Sequence, residues 1–264
     1  MAILHFEYNM EIGYEELVGR CHFTIKCIPK EDARQHLRHM EISIVPKIRY
    51  SFGEDSFGNR QIYGCVEEAH DTFTFHISGD VEIIQTDYEE EARAERMGMY
   101  RYPFGKCVAG PGLSDYYDSL DFSGCQSHYD ICTYLMNKLY RDFSYVPKST
   151  QVETTAEEAW NLSKGVCQDY AHIYITLLRL AGIPARYVCG LIIGEGESHA
   201  WAEALCDGRW IGFDPTNNCP VLDHYIKLGD GRDASDCAIN RGIMWGGGAQ
   251  TQKISVSVEK QKGG

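Results

Sequence analysis

The sequence predicts an α+β fold, in which a small antiparallel β domain precedes helices and a second group of strands. Apolar and polar residues alternate along several short segments before residue 86, as in strands with one buried face. Apolar residues then recur at helical spacing between residues 129 and 181, and strand-like runs return from residue 185. Strands followed by helices are typical of α+β proteins.

The composition disfavours several functional classes. The chain has 264 residues, of which 44% are hydrophobic and 24% charged, as in ordinary soluble domains. Its net charge of −13 repels phosphate backbones and anionic lipids, so we expect neither nucleic acid nor membrane as a partner. The N-terminus lacks a basic segment followed by an apolar run, and no segment approaches the ~18 apolar residues of a membrane span. We therefore expect a cytoplasmic protein.

The sequence divides into three parts. Residues 1–86 form the predicted N-terminal β domain. Residues 87–124 form a linker or helical connection. It begins with a charged run at 87–97, where a solvated helix or linker is favoured over a calcium site. It continues with a Gly/Pro-rich stretch at 103–112. Residues 125–264 form the predicted core.

Three helices are predicted in this core. The first spans residues 129–141. The second begins near Thr154, which stands at capping-box spacing from Glu157. The third and most regular helix spans residues 167–181 and ends at Gly182, as helices often end at glycine.

The eleven cysteines include no Cys-x-x-Cys pair, which structural zinc sites usually show. Without a signal peptide the thiols should be reduced, and most are best interpreted as small buried hydrophobic residues. No metal and no cofactor is therefore predicted. A functional cysteine has to be identified by its surroundings.

Cys167 has such surroundings, because it opens the helix predicted at 167–181. The positive end of the helix dipole favours the thiolate, which is the nucleophilic form. The backbone N–H of Cys167, unsatisfied at a helix start, can donate to a developing oxyanion. A buried cysteine that opens a core helix is the alternative interpretation.

A predicted hairpin brings a base and an acceptor together. Asp207 and Gly208 form a two-residue turn between alternating segments. If the hairpin has no bulge, Trp201 faces Asp214 across the strands, and His199 lies one diagonal step away on the same face. Such neighbours are ~7–8 Å apart at the backbone, so an imidazole and a carboxylate can meet. Asp214 would then orient His199 and leave its other ring nitrogen for a thiol.

Three separated motifs resemble the core motifs of the transglutaminase-like superfamily. They are Gly-Val-Cys-Gln-Asp-Tyr-Ala at 165–171, Ser-His-Ala-Trp at 198–201 and Trp-Ile-Gly-Phe-Asp-Pro-Thr-Asn at 210–217. The resemblance to the bacterial branch, the transglutaminase-like cysteine peptidases, extends to residues 55–59, 231–236 and 246–248. It implies a papain-like core in which the cysteine helix packs on an antiparallel sheet that carries His199 and Asp214. Animal transglutaminases require calcium and several additional domains, which this chain is too short to contain. We therefore do not expect calcium as a cofactor.

The resemblance implies thiol acyl chemistry on amide bonds by a Cys167–His199–Asp214 triad, with a peptide or protein as substrate. Water as acceptor gives an amide hydrolase, and an amine as acceptor gives a transglutaminase. A non-catalytic binding module and a cysteine-based metal site are the alternatives. An arylamine N-acetyltransferase would use the same triad, but no phosphate-binding glycine loop or basic cluster indicates an acyl-CoA site.

Further site residues are candidates from their positions alone. Beside the Cys167 backbone, the oxyanion donors could include Asn161, Gln168 or Trp160, for which ordinary helix or packing roles are the alternative.

Trp201 and Trp210 are candidates for the walls of the substrate cleft, with core packing as the alternative. Glu203 shares a hairpin face with His199 and is a candidate for supporting it.

Overall fold

The computed structural model describes residues 2–85, 87–89 and 94–261. Its first five strands are β1 (Ala2–Ile25), β2 (Gln35–Val45), β3 (Tyr50–Glu54), β4 (Arg60–Val66) and β5 (His70–Ile83). The connection contains β6 (Asp87–Glu89), α1 (Ala94–Arg101) and α2 (Pro111–Asp118). The remaining elements are α3 (His128–Asp142), β7 (Ser144–Tyr145), α4 (Ala156–Leu162), β8 (Lys164–Gly165), α5 (Cys167–Leu180), β9 (Ala185–Ile192), β10 (Gly194–Gly196), β11 (His199–Cys206), β12 (Arg209–Asp214), β13 (Cys219–Pro220), β14 (Tyr225–Gly231), β15 (Asn240–Gly246) and β16 (Gln250–Lys260).

The long strand β1 organises the N-terminal sheet. Its first residues alternate between buried and exposed, with Leu4, Phe6 and Tyr8 fully buried. On one side β1 pairs with β16 and then with β15. On the other side it pairs with β5 and then with β4. Strands β2, β3 and β10 extend this sheet by pairing with β5, β4 and β16.

The second sheet has the order β13-β12-β11-β9-β14, and all its pairs are antiparallel. Helix α5 packs on β11 and β9, and a hydrophobic core from α2 to α5 fills the space above the sheet. The α+β class and the papain-like arrangement are therefore confirmed. The helix predicted at 167–181 is α5, and the hairpin at Asp207 and Gly208 joins β11 to β12 without a register shift.

The two sheets share a hydrophobic core, whereas the predicted domain boundaries assign their strands to separate parts of the chain. Leu191, Ile226 and Leu228 of the second sheet belong to the hydrophobic core of the N-terminal sheet. Strands β15 and β16, which the sequence assigns to the core at 125–264, pair with β1 instead. The reason is that an alternating strand can complete any sheet whose buried face it matches. The expectation for the charged run at 87–97 falls partly outside the described residues, since 90–93 are among those not described.

The capping box of α4 lies one residue later than predicted. Thr155 and Glu158 form it, with the Thr155 side chain accepting from the Glu158 N–H. Glu157, the predicted partner, instead accepts backbone N–H donors from Gly110, Gly112 and Leu113 at the start of α2. The prediction of Thr154 and Glu157 as the box is therefore wrong, because Glu157 is engaged at the start of a neighbouring helix.

A buried cluster of charged side chains lies on β14 and its neighbours. Lys227 Nζ is 2.8 Å from both Glu203 Oε2 and Asp230 Oδ2. Arg186 Nε is 2.7 Å from Glu203 Oε2, and Lys30 Nζ is 2.6 Å from Asp230 Oδ2. Burial disfavours the charged form of Glu203, but Lys227 and Arg186 outweigh burial and lower the pKa of Glu203 to about 2. We call this set the Lys227 cluster.

Two side-chain amides from the N-terminal part bond to the backbone of β14. Gln35 Nε2 donates to the Lys227 carbonyl at 2.7 Å, and Gln35 Oε1 accepts from the Lys227 N–H at 2.8 Å. Asn59 bonds in the same way to both backbone groups of Asp230, at 2.8 and 2.9 Å. The two amides thus satisfy backbone groups of β14 as a neighbouring strand would, and they fix this strand to the N-terminal part.

No helix in the described ranges combines the length and the apolar character that crossing a bilayer requires.

Replacing Lys227 with Ala should strongly destabilise the fold, because it leaves Glu203 and Asp230 buried with less compensating charge. We expect a loss of about 3–5 kcal/mol in the free energy of unfolding, measured by urea denaturation. The control is Lys260→Ala, which breaks a half-exposed pair with Asp223 and should cost about 1 kcal/mol or less. Equal losses for the two variants would contradict a central role for the cluster.

Candidate active site

Cys167 is the first residue of α5, and its thiol is half-buried. Asp169, two residues further along, accepts the Val166 N–H at 2.8 Å and the Thr150 hydroxyl at 2.6 Å. The chain approaches Asp169 so closely that a Cβ on Gly165 would lie 2.6 Å from the Asp169 Cβ. Glycine is therefore required at 165, and these contacts fix the backbone immediately before the cysteine.

His199 begins β11, and its Nε2 lies 2.7 Å from Asp214 Oδ2. The ring also interacts with Cys167, and this interaction is among the causes that raise the pKa of His199. Because Nε2 is directed at the carboxylate, Nδ1 is the ring nitrogen left for the thiol. The structure thus brings His199 and Asp214 together as the hairpin register predicts, and Cys167 interacts with the same ring.

Asp214 is fully buried at the end of β12 and accepts five hydrogen bonds. Its Oδ2 accepts from His199 Nε2, from Asn217 Nδ2 at 2.7 Å and from the Tyr225 hydroxyl at 2.8 Å. Its Oδ1 accepts the backbone N–H groups of Thr216 and Asn217, at 2.9 and 3.1 Å. Burial raises the pKa of Asp214, but the donors, first of all His199, outweigh it and lower the pKa below the usual value. The carboxylate is therefore held ionised.

The ring of His199 is held in the charged form. Burial of the ring lowers its pKa, but the hydrogen bond to Asp214, its charge and the interaction with Cys167 outweigh burial and raise the pKa of His199 to about 10. An imidazolium beside a thiol at a helix N-terminus favours a thiolate–imidazolium pair. Such a pair combines a nucleophile with a proton donor, which is what acyl transfer from an amide needs.

The other predicted oxyanion residues lie on the helices around Cys167. Gln168 donates from Nε2 to the Val152 carbonyl at 3.1 Å, and Asn161 donates from Nδ2 to Glu157 at 3.4 Å. Trp160 stacks in a group of aromatic rings with Tyr116 and Phe143. Their roles as oxyanion donors stay predictions.

The prediction that Trp201 and Trp210 wall the substrate cleft is wrong, because both side chains are buried. Trp201 is 0% exposed and packs edge to face on Tyr225. Trp210 is 2% exposed and lies beneath the guanidinium of Arg186, 4.1 Å from the ring centroid. Core packing, the alternative, holds for both. Glu203 does not support His199 but belongs to the Lys227 cluster.

Two side chains at this site carry no assignment from the sequence. Asn217 is part of the motif at 210–217, and an Asp followed by Thr and Asn is a turn signal that could have indicated its bonds to Asp214. Tyr225 reaches Asp214 only because β14 pairs with β9, on which β11 also pairs. No local pattern in the sequence indicates that contact.

All eleven cysteines are free thiols. Within residues 2–85, 87–89 and 94–261, no group of three His, Cys, Asp or Glu side chains is arranged to hold a metal ion.

Two family models match the chain. One described as Transglutaminase-like superfamily matches residues 119–215, which contain the cysteine, the histidine and the aspartate of this site. One described as Bacterial transglutaminase-like N-terminal region matches residues 4–82. The N-terminal match covers most of β1 to β5, and the other match contains α3 to α5 with β9, β11 and β12 of the second sheet.

Sequence relatives are found in mycobacteria. An uncharacterized protein of Mycobacterium leprae is 39% identical over 126 residues, which cover 44% of this chain and 45% of that protein. The matched segment is thus less than half the length of that relative. An uncharacterized protein of Mycobacterium tuberculosis is 28% identical over an alignment of 284 residues, gaps included. The alignment covers 96% of this chain and 90% of that protein.

A solved structure has the same fold along the whole chain. It is described as that of a "putative cysteine protease" from Cytophaga hutchinsonii, and it matches with a TM-score of 0.82 at 21% sequence identity. The match covers 100% of this chain and 93% of the other. Residues 119–215 of the chain therefore belong to the transglutaminase-like superfamily and residues 4–82 to the bacterial transglutaminase-like N-terminal region, and the fold agrees with these matches.

Proposed function

We propose that this protein is a cysteine-dependent amide-bond hydrolase whose nucleophile is Cys167. One observation carries the proposal: the buried carboxylate of Asp214 holds His199 through Nε2, and Cys167, at the start of α5, interacts with the same ring. Membership of the transglutaminase-like superfamily supports the same chemistry.

In the proposed acylation, His199 starts as the imidazolium, and the Cys167 thiolate paired with it attacks the amide carbonyl. The carbonyl oxygen becomes an oxyanion, to which the Cys167 backbone N–H can donate. The imidazolium then protonates the nitrogen, the C–N bond breaks and the amine leaves. The product is a thioester between Cys167 and the acyl group, and His199 is now neutral because it has given its proton to the leaving amine.

In the proposed deacylation, water attacks the thioester while neutral His199 accepts its proton. The C–S bond breaks, the thiolate regains its place beside the imidazolium, and a carboxylic acid is released. Asp214 keeps the ring aligned in both half-reactions and stabilises its charge. A peptide or protein amide is the substrate that this chemistry and the superfamily favour.

Two other functions use the same residues differently. A primary amine in place of water would make the protein a protein-glutamine amine acyltransferase, a transglutaminase. A non-catalytic binding module would use the fold without the chemistry. The intact set of Cys167, His199 and Asp214, with its buried carboxylate and raised histidine pKa, favours an enzyme over a module.

Cys167→Ala should abolish amide cleavage, because it removes the nucleophile and leaves the fold intact. Activity is measured by incubating the protein with a peptide library and detecting both new termini and the Cys167 acyl-enzyme by mass spectrometry. Iodoacetamide should inactivate the wild-type protein at Cys167, and a cleaved peptide should protect against this.

The matched control is Cys125→Ala, which changes another partly exposed thiol and should retain full activity. If Cys167→Ala retains every amide-cleaving and amine-incorporating activity of the wild-type protein, the proposal is wrong.

Asp214→Asn should move the alkaline limit of activity to lower pH. The pKa of His199 is raised to about 10, so the imidazolium persists at neutral pH and is lost as the pH rises through that value. Without the carboxylate charge the pKa should fall toward the ordinary value of about 6.5. We expect the cleavage rate to fall by roughly 10²–10⁴-fold, with its alkaline limb at lower pH.

The control for this experiment is Asp121→Asn, which changes a carboxylate bonded to the neighbouring Ser123. It should leave the pH profile unchanged. An unaltered alkaline limb in Asp214→Asn would contradict the role assigned to the carboxylate.

The acceptor can be identified from the fate of the acyl-enzyme. We expect released acid to remain the main product when a primary amine such as a lysine derivative is added at millimolar concentration. Products are separated by chromatography and identified by mass. An amide to the added amine as the main product would overturn hydrolysis in favour of acyl transfer.

A further inference from the structure

We infer that Tyr225 is a positioning residue, whose hydroxyl fixes the carboxylate of Asp214 and thereby the ring of His199. The inference rests on the proposed function, in which Asp214 aligns the ring during both half-reactions. Tyr225 touches neither Cys167 nor a reacting atom. Its hydroxyl donates to Asp214 Oδ2, the same oxygen that accepts His199 Nε2.

The geometry makes this contact specific. The Tyr225 hydroxyl donates to Asp214 Oδ2 at 2.8 Å, and Oδ2 is the oxygen that accepts His199 Nε2 at 2.7 Å. Asn217 Nδ2 is the third donor to this oxygen. Because Oδ1 is held by two backbone N–H groups, the carboxylate cannot rotate without losing bonds on both oxygens.

The direction of the Tyr225 hydroxyl is fixed as well. A phenol has one proton, which is used toward Asp214, so the contact with Cys219 Sγ at 3.5 Å must have the thiol as donor. Burial and the nearby Asp214 charge raise the pKa of Tyr225 far above its usual value. The hydroxyl thus stays protonated and acts only as a donor toward the carboxylate.

Packing holds the ring of Tyr225 in place. Its centroid lies 5.3 Å from Trp201, in an edge-to-face arrangement, and 4.6 Å from His224. The His199 ring lies at 6.3 Å. Trp201 is buried and packs against Tyr225 in this aromatic group. It therefore supports the site from within the core and does not line the cleft.

Tyr225 and Asn217 reach Asp214 from different structural elements. Asn217 belongs to the turn that follows Asp214, so its bonds are local. Tyr225 opens β14, the strand that carries Lys227 and is fixed to the N-terminal part. Through Tyr225 the position of the carboxylate is coupled to the packing of the two sheets.

Removing the Tyr225 hydroxyl should strengthen the electrostatic interaction between Asp214 and His199. With one donor fewer, Asp214 Oδ2 carries more negative charge toward His199 and stabilises the imidazolium more. The carboxylate also becomes less constrained, so the ring is less well aligned. The other ionisable groups that face this set are Cys167 on α5, Cys219 on β13 and His224 beside β14.

The test compares Tyr225→Phe with Tyr174→Phe by titrating His199 in ¹⁵N-histidine NMR. Both variants carry Cys167→Ala, so the thiol does not contribute to the titration. Tyr174 is the matched control, because it is equally buried and its hydroxyl donates to the Cys132 carbonyl in the helical core. We expect Tyr225→Phe to raise the pKa of His199 by about half a unit, about threefold in the protonation constant, and Tyr174→Phe to leave it unchanged.

The same two substitutions in the protein that retains Cys167 give the kinetic result. Tyr225→Phe should lower kcat for amide cleavage by about 3–10-fold and leave KM unchanged, whereas Tyr174→Phe should alter neither. A His199 pKa that does not rise in Tyr225→Phe, or that rises equally in Tyr174→Phe, overturns the inference. The titration needs no substrate, so its outcome is separate from the Cys167→Ala and amine-acceptor experiments, which decide the proposed hydrolase.

Discussion

The buried ion pairs of Lys227 fix the strand on which both halves of the molecule depend. Lys227 balances the carboxylates of Glu203 on β11 and Asp230 on its own strand, so β14 and β11 cannot move apart without separating buried charges. The amides of Gln35 and Asn59 attach the same strand to the N-terminal part. The candidate site therefore lies on a sheet whose position is set by charge as well as by apolar packing.

The site itself joins two structural units that are separate in sequence. Helix α5 supplies Cys167, while the β11–β12 hairpin supplies His199 and Asp214. Because α5 packs directly on β11, one helix–strand contact determines how near the thiol lies to the imidazole. The carboxylate is the most constrained of the three groups, with five donors and no exposed surface. The group that orients the imidazole is thus itself firmly held, as in preorganised sites.

The sequence predicted those parts of the site that depend on local rules. A two-residue turn determines the register of a hairpin, which is why His199 and Asp214 could be placed on one face. The start of α5 likewise follows from local signals. The tryptophans and Tyr225 could not be placed correctly, since burial on a given sheet face and contacts between β14 and β12 depend on tertiary packing. Alternation identified the strand segments but did not indicate that β1 continues unbroken from Ala2 to Ile25.

The pairing of β1 with β16 bears on the order in which the chain folds. The first and last strands of the described structure are direct neighbours, so the N-terminal sheet is closed by contacts of nearly the greatest sequence separation available. Such contacts form late, because loop-closure entropy opposes them until the intervening chain is compact. During synthesis β1 would leave the ribosome long before β16, with one edge unpaired. The sheet that begins before the segment with Cys167, His199 and Asp214 is thus completed only after that segment has been made.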